Sequence, residues 1–238
     1  MAQWMYGKNV VKQILSDGGR AKAVYVTQND QEIRKLAEKA GVPVKQVDRK
    51  ALTKLCKNDH HQGCAVEIEP YETYTVEELV SSVKEEGRGF LIMLDELEDP
   101  HNLGAVLRTA DAVGADGVIF KKTHNAGLTP TVAKVSAGAV DTVKCAAVTN
   151  LTRTAEDLKA QGWWIIGTAM DGQDYRSLDY AMNVVLVIGN EGKGISRLLR
   201  EKCDMVVSIP MDGKIDSLNA AVSAGILMYA VRNARHPL

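Results

Sequence analysis

Residues 184–196 have the sequence VVLVIGNEGKGIS, in which five consecutive apolar residues run directly into a loop that holds three glycines. A short, uninterrupted apolar run is typical of a strand that is buried on both faces of a parallel sheet. Similar runs recur along the chain, and they predict strands at 90–94, 118–120, 143–148, 163–168, 184–188 and 205–209. Helical patterns between and after them predict helices at 102–113, 131–138, 151–161, 195–202 and 218–233. The predicted fold class is therefore α/β, with a parallel sheet covered by helices on both faces.

The segment before this region has shorter elements. We predict strands at 23–26, 42–47 and 64–68 and a helix at 30–40 that Gly41 ends. Thr75 and Glu78 have the spacing of a capping box, which indicates the start of another helix. We therefore expect a smaller N-terminal α/β domain over 1–75, a linker with a helix over 76–89, and the main domain over 90–238.

Composition excludes several classes of protein. The chain has 238 residues, of which 45% are hydrophobic and 25% charged, as is usual for a globular protein and not for a disordered one. Its longest apolar runs are too short to span a bilayer, and no signal peptide is recognised at residues 1–10. The four cysteines lack C-x-x-C spacing, which disfavours a zinc site and predicts a cytoplasmic protein in a reducing compartment.

Charge is distributed unevenly along the chain. The formal net charge is −1, but residues 1–66 hold 12 Lys and Arg against 6 Asp and Glu, whereas the other residues hold 17 against 24. A basic N-terminal domain on an acidic body indicates contact with a polyanion such as nucleic acid. The alternative is that the net charge of the N-terminal domain serves only solubility, and charge alone does not distinguish the two interpretations.

In open parallel sheets, ligands bind beyond the carboxyl ends of the strands, so the loops after Leu94, Ile188 and Ile209 are candidate sites. In the first loop Asp99 precedes Pro100, a pairing that predicts a helix N-terminus. Arg108 lies off the apolar stripe of that helix, since 100° per residue places it about 140° from Leu103. A solvated arginine and a capping role for Asn102 are the structural alternatives to a functional role.

The other two loops are ambiguous when each is considered alone. Gly192-Lys193-Gly194 lacks the Ser or Thr of a phosphate-binding P-loop and the last glycine of a dinucleotide fingerprint. In the third loop Ser217 occupies the expected N-cap position of the last helix, and Asn219 either helps to cap it or faces a ligand. The five histidines have no metal-ligand spacing, and no G-x-S-x-G nucleophile elbow is present, so neither a metal site nor a hydrolase is indicated.

Taken together and in this order, the three loop sequences are specific enough to point to a protein family. The segments NLGAVLRTA, IGNEGKGIS and IPMDGKIDSLNAA resemble the three motifs of the SpoU (TrmH-like) branch of the SPOUT RNA methyltransferases. Within that branch the chain is most similar to the bacterial RlmB/YacO type, which methylates the ribose 2′-oxygen of a guanosine in 23S rRNA. The resemblance extends to Tyr6–Val11 and to His61-Gln62-Gly63, and hence to an N-terminal RNA-binding domain that also occurs in ribosomal proteins.

The resemblance implies a fold, a cofactor and a set of roles. The fold would be a deep trefoil knot, and the active protein a homodimer whose active site lies near the subunit interface. S-adenosylmethionine would be held, largely through backbone groups, by Gly189, Asn190, Ile209, Met211 and Leu218. The catalytic positions would be Asn102, Arg108, Glu191, Ser217 and Asn219. Asn190 and Asp212 depart from the residues usual in the family. A tRNA substrate, or a non-catalytic role in ribosome assembly, is the alternative function.

Overall fold

The computed structural model describes residues 3–16, 20–214 and 217–237, and the chain divides into two compact units between Tyr71 and Glu72. The first unit contains four strands and three helices among its described residues. They are β1 Gln3–Tyr6, α1 Lys8–Ser16, β2 Ala21–Val26, α2 Gln31–Lys39, β3 Val44–Gln46, α3 Arg49–Cys56 and β4 Cys64–Ile68. The strand order is β1-β4-β2-β3, in which β2 and β3 are parallel and the other neighbours are antiparallel.

The core of the first unit forms between its sheet and two helices. Val11, Ile14 and Leu15 of α1 and Ile33 and Ala37 of α2 pack against the apolar residues of β2 and β4. The predicted strands and the predicted helix of this unit are present, but the sequence pattern missed β1, α1 and α3. The apolar spacing in α1 covers only about one helical turn, which is too short for periodicity to identify.

The second unit is built around a six-stranded sheet. Its elements are α4 Val76–Ser81, β5 Phe90–Leu94, α5 Pro100–Val113, β6 Gly117–Lys121, α6 Pro130–Val135, β7 Cys145–Val148, α7 Leu151–Ala160, β8 Trp164–Asp174, β9 Val184–Ile188, α8 Arg197–Arg200, β10 Met205–Ser208 and α9 Ala220–Arg235. All neighbouring strands are parallel, in the order β10-β8-β9-β5-β6-β7. The predicted parallel α/β class is confirmed.

Burial explains the uninterrupted apolar strands. All five residues of β5 and all five of β9 are buried, because helices cover both faces of the sheet. On one face, Leu91 and Met93 pack in a cluster with residues of α4, α7 and α8. Helices α5 and α9 cover the opposite face, where they pack against each other, and α5 also packs against α6.

The segment expected to be a linker belongs to the second unit. The predicted capping box of Thr75 and Glu78 is present and begins α4, but that helix ends at Ser81. Leu79 is fully buried in the core of the second unit, and the backbone N–H of Tyr74 donates to the carbonyl oxygen of Cys145 over 2.8 Å. Residues 76–89 are thus structural, and the division of the chain lies a few residues before the predicted edge of the first domain.

Two element boundaries near the strand ends differ from the sequence expectation. Strand β8 continues to Asp174, six residues beyond its predicted end. Within this extension, Gly172 lies so close to the backbone of β10 that a Cβ would be 2.5 Å from the carbonyl carbon of Val207. Helix α9 begins at Ala220, because Asn219 and not Ser217 is its N-cap. No helix within the described ranges is long and apolar enough to cross a membrane.

Candidate active site

A cavity of about 400 Å³ opens at the carboxyl ends of β9 and β10, beside residues 168–171 in the middle of β8. This volume lies within the range of roughly 300–1,000 Å³ that is usual for small-molecule sites. Its wall includes all five residues predicted to hold a cofactor: Gly189, Asn190, Ile209, Met211 and Leu218. It also includes two of the predicted catalytic residues, Glu191 and Ser217. Ile215 and Asp216 of the third motif lie outside the described residues.

The glycine-rich loop after β9 is closed on itself. The backbone N–H groups of Asn190 and Gly194 donate to each other's carbonyl oxygens over 3.0 and 2.8 Å. The returning chain passes directly over Gly189, where a Cβ would lie 2.3 Å from the carbonyl carbon of Gly194 and 2.4 Å from the nitrogen of Ile195. A glycine is therefore required at 189 by the path of the loop itself, not only by a ligand.

The side chain of Asn190 stabilises this loop. Its Oδ1 accepts hydrogen bonds from the backbone N–H groups of Gly192 and Lys193, and its Nδ2 donates to the carbonyl oxygen of Glu96 over 3.1 Å. Asn190 thus lines the cavity mainly through its backbone. The departure from the family pattern at this position supplies contacts within the protein.

The loop after β5 forms hydrogen bonds with the glycine-rich loop. Asp95 is 4% exposed, and its Oδ2 accepts a hydrogen bond of 2.8 Å from the backbone N–H of Ser196. With the Asn190–Glu96 hydrogen bond, this contact fixes both ends of the 189–196 loop to the end of β5. The sequence analysis missed Asp95 and Glu96, although a carboxylate directly after a buried strand was a detectable signal.

Three predicted catalytic residues meet in one hydrogen-bonded network. Asn102 Nδ2 donates to Glu191 Oε1 over 2.7 Å, and Asn219 Nδ2 donates to Glu191 Oε1 over 2.5 Å and to Asn102 Oδ1 over 3.0 Å. The backbone N–H of Ala220 also donates to Glu191 Oε1, over 3.2 Å. The network joins the start of α5, the glycine-rich loop and the start of α9, so it holds the Glu191 carboxylate in one orientation at the edge of the cavity.

Asn219 performs two tasks at once. Its Nδ2 donates to Glu191 and Asn102 in the network. Its Oδ1 accepts hydrogen bonds from the N–H groups of Ala221 and Val222 and so caps α9. The N-cap role expected for Ser217 is therefore wrong. Ser217 is exposed in the cavity wall, two residues before the cap. The capping role considered for Asn102 is also wrong, because Asp99 caps α5 and Asn102 is buried within the network.

Arg108 stands apart from the network. Its helix buries the predicted stripe at Leu103, Val106, Leu107 and Ala110, and Arg108 lies on the exposed side. Within the part of the chain that the structure describes, its guanidinium has no hydrogen-bonding or ion-pair partner, and no contact joins it to Glu191. All five of its N–H donors are thus available to a ligand or another chain.

The cavity also has lining residues that the sequence analysis did not select. Thr168 and Asp171 come from β8, Ser208 from β10 and Ser223 from α9. The hydroxyls of Thr168 and Ser208 donate to carbonyl oxygens of neighbouring strands, so both contribute to the framework. The sequence pattern did not predict that β8 lies beside β9, so residues 168–171 of β8 were not predicted to line a site.

The charges that line the cavity are nearly balanced. Arg200 donates to Asp171 over 2.7 Å, and this hydrogen bond lowers the pKa of the Asp171 carboxyl and raises that of Arg200. Glu191 and Lys193 supply one further charge of each sign. Among the described residues no cluster of His, Cys, Asp and Glu suited to a metal ion occurs. The remaining wall is largely apolar, with Ile188, Ile195, Val207, Leu218 and Leu227.

These features are typical of one class of protein: an α/β protein with a small-molecule site at the carboxyl edge of a parallel sheet, here beside a fixed carboxylate–amide network. Comparison with known proteins identifies the class more closely. The model of the SpoU rRNA methylase family matches residues 89–229, and a model described as RNA 2′-O ribose methyltransferase substrate binding matches residues 4–74. The chain belongs to the SpoU family of RNA methyltransferases, as its motifs indicated.

Individual relatives agree with this assignment. YacO of Bacillus subtilis, named as a TrmH family tRNA/rRNA methyltransferase, is 43% identical over 242 residues, which cover 99% of this chain and 97% of YacO. The AdoMet-bound rRNA methyltransferase of Sinorhizobium meliloti superimposes with a TM-score of 0.63 at 27% identity, covering 100% of this chain and 88% of that one. The TrmH/SpoU tRNA modifying enzyme of A. aeolicus gives 0.58 at 27% identity, over 67% of this chain and 83% of that one.

The cavity suits the cofactor of this family, S-adenosylmethionine. An adenosine needs apolar contacts for its base and polar groups at its edge, and the wall supplies aliphatic side chains together with the backbone of the 189–194 loop. The cofactor also carries charges of both signs, which agrees with a wall that has both acidic and basic residues. Gly189, Asn190, Ile209, Met211 and Leu218 are the residues that would hold it.

Proposed function

We propose that this protein transfers a methyl group from S-adenosylmethionine to the ribose 2′-oxygen of a guanosine in 23S rRNA. The observation that carries the proposal is the network of Asn102, Glu191 and Asn219 at the edge of the cavity. It presents a fixed carboxylate where a substrate hydroxyl would have to meet a ligand bound in the cavity. A non-catalytic assembly factor would have no need of such an arrangement.

Two groups serve the reacting oxygen. When bound, S-adenosylmethionine supplies a methyl group that its sulfonium sulfur already activates. The ribose hydroxyl is a poor nucleophile until it loses its proton, and Glu191 is the network group able to accept that proton. Arginine is a cation in proteins, so we assign Arg108 to the RNA phosphate and to the negative charge that develops on the 2′-oxygen. Ser217 and Asn219 position the ribose or the cofactor-binding turn.

The coverage of the relatives supports rRNA over tRNA. The rRNA methyltransferase of S. meliloti matches all of this chain, whereas the tRNA modifying enzyme of A. aeolicus matches 67% of it. We therefore assign the first unit, which matches the substrate-binding family model, to the recruitment of rRNA. We also propose the cytoplasm as its compartment, because the spacing of its four cysteines is not that of a disulfide framework.

The trefoil knot and the homodimer that the resemblance implies form part of the same proposal. Val222 and Tyr229 lie seven residues apart on α9, and 50% and 44% of their surfaces are exposed. Side chains at this spacing lie on one side of a helix. An apolar stripe on α9, beside the helix that carries Arg108, supports a subunit interface near the active site.

The decisive experiment compares RNA substrates. Full-length protein with labelled S-adenosylmethionine is expected to label fragments of 23S rRNA and not total tRNA, and nuclease digestion with mass spectrometry should locate the methyl group on the 2′-oxygen of a guanosine. Labelling of tRNA alone would replace the substrate assignment and leave the chemistry intact. An absence of both methyl transfer and heat of binding with S-adenosylhomocysteine would instead favour an assembly factor.

Deletion of the first unit tests its assigned role. A variant that consists of residues 72–238 retains the cavity and the network, so its affinity for S-adenosylhomocysteine should remain within about threefold of the full chain. Its affinity for 23S rRNA fragments should fall strongly and become less dependent on salt, because phosphate contacts by Lys and Arg release counterions. Calorimetry and filter binding measure the two quantities. A truncated protein that binds RNA as well as the full chain contradicts the role.

A further inference from the structure

Helix α3 and the residue that follows it have an unusual charge. Residues 49–57 contain four cationic side chains, Arg49, Lys50, Lys54 and Lys57, and no carboxylate. All four are exposed. None has an ion-pair or hydrogen-bonding partner for its side chain within the described ranges of the chain. A large share of the positive charge of the first unit is therefore concentrated, without neutralisation, on one short segment.

Three other cations of the first unit form ion pairs. Lys8 pairs with Asp30 at 3.0 Å, and Lys12 pairs with Glu32 at 2.5 Å. Lys22 lies 3.8 Å from Glu69. Helix α2 carries glutamates among its lysines, so its surface has both signs of charge. Residues 49–57 differ from α2 in that no carboxylate lies among their cations.

Helix α3 is also firmly held. Asp48 caps it through a hydrogen bond from the N–H of Ala51, and Leu52 on its inner side is fully buried. His61 is buried as well, and its Nδ1 accepts from the N–H of Gly63, so its Nε2 donates to Thr53 Oγ1 at 3.1 Å. The exposed cations thus project from a fixed element, and Lys50 and Lys54, four residues apart, lie on the same side of it.

The sheet face beneath α3 adds aromatic groups. In the register of the sheet, Met5 and Val66 point toward α1 and α2, so Trp4 and Tyr25 point to the opposite face, where α3 contacts β1 and β4. Both rings are half-buried and 4.9 Å apart, and Lys45 lies 5.2 Å from the centroid of Tyr25. Cations combined with aromatic rings favour a nucleic acid over an acidic peptide as the partner.

We propose that α3, with its following residue Lys57, is the surface through which the first unit docks on the phosphate backbone of RNA. The inference rests on the proposed function, since it specifies which face of the recruiting unit meets the substrate. Its physical basis is that a segment with cations and no carboxylate attracts phosphate, whereas the glutamates of α2 offset the charge of its lysines.

Two double variants test the proposal. Lys50→Gln/Lys54→Gln removes two charges from α3, and Lys35→Gln/Lys39→Gln removes two exposed charges of the same spacing from α2 as the matched control. Glutamine retains helix propensity, so both should fold. We measure the dissociation constant for a 23S rRNA fragment over a series of KCl concentrations. The α3 variant should bind about tenfold more weakly near 0.15 M salt, with a log–log salt slope smaller by about 1.5, since each lost phosphate contact removes about 0.7–0.9.

The control variant should change the slope by less than about 0.5. Equal slopes for the two variants would overturn the assignment to α3, as would a larger effect of the α2 substitutions. Methyl transfer by the unmodified protein shows whether only the docking surface is wrong or the proposed function is wrong as well. An unmodified protein that methylates the fragment while the α3 variant binds it normally rejects only the docking surface. An unmodified protein that neither binds nor methylates RNA rejects both.

Discussion

Arg108→Ala is expected to lower single-turnover methyl transfer by about 10²–10³-fold at saturating RNA, because loss of one group that stabilises a developing negative charge has effects of that size. The free energy of unfolding should change by less than about 0.5 kcal/mol, since the side chain is exposed and has no partner among the described residues. Saturating RNA removes a simple binding defect from the comparison. Rapid-quench methylation and urea denaturation measure the two quantities.

Arg108→Lys distinguishes charge from geometry. Lysine retains the positive charge but loses the planar fork that contacts two oxygens together. If Arg108 organises the reacting oxygen, the lysine variant should be nearly as slow as the alanine variant, with unchanged affinity for S-adenosylhomocysteine. Substitution of Arg153 by alanine is the matched control, because Arg153 is an exposed arginine on α7, a helix on the other face of the sheet. A fully active Arg108→Ala protein would remove Arg108 from the site.

Gly189→Ala should weaken the binding of S-adenosylhomocysteine by about 100-fold or more, which corresponds to roughly 2.7 kcal/mol. The added Cβ would lie 2.3–2.5 Å from backbone atoms of Gly194 and Ile195, so the 189–196 loop must shift from the position that shapes the cavity. A reduction of about 1–3 kcal/mol in the free energy of unfolding should accompany the loss, as is usual for overpacking. Gly189→Val should abolish binding.

Gly192→Ala in the same loop is the control for this prediction. A Cβ at that position meets only the Asn190 Oδ1, at 3.7 Å, which is an ordinary contact. Its affinity for S-adenosylhomocysteine should therefore remain within about threefold of the unmodified protein. Calorimetry and urea denaturation of the two variants give the comparison. Normal affinity in Gly189→Ala would show that the close approach of Gly194 does not shape the cofactor cavity.

Local patterns in the sequence predicted much of the second unit. Uninterrupted apolar runs located the strands at 90–94 and 184–188, because burial on both faces of a sheet requires apolar residues at every position. Capping chemistry predicted the starts of α4 and α5 from Thr75 and Asp99. Both signals act over a few residues, so a single stretch of sequence contains them.

The motif order was sufficient to identify the family, and the residues selected for the cofactor cavity do line it. The arrangement within the site was not available from sequence. Asn102 and Asn219 are 117 residues apart and meet only because α5 and α9 pack together beside the end of β9. Nothing local distinguishes an asparagine that only caps a helix from one that also donates a hydrogen bond to a distant carboxylate such as that of Glu191.

The sequence by itself thus determined the fold class, the positions of most strands of the second unit and the chemical groups present in the three loops. The tertiary structure decided the strand order, which brought the middle of β8 to the cavity, and made Asn219, not Ser217, the cap of α9. It also decided that Gly189 is required by its own loop, and that the cations at 49, 50, 54 and 57 are exposed on α3 and the residue after it. The physical reason is that secondary structure follows from contacts between near neighbours, whereas a site depends on which distant segments the packed sheet brings together.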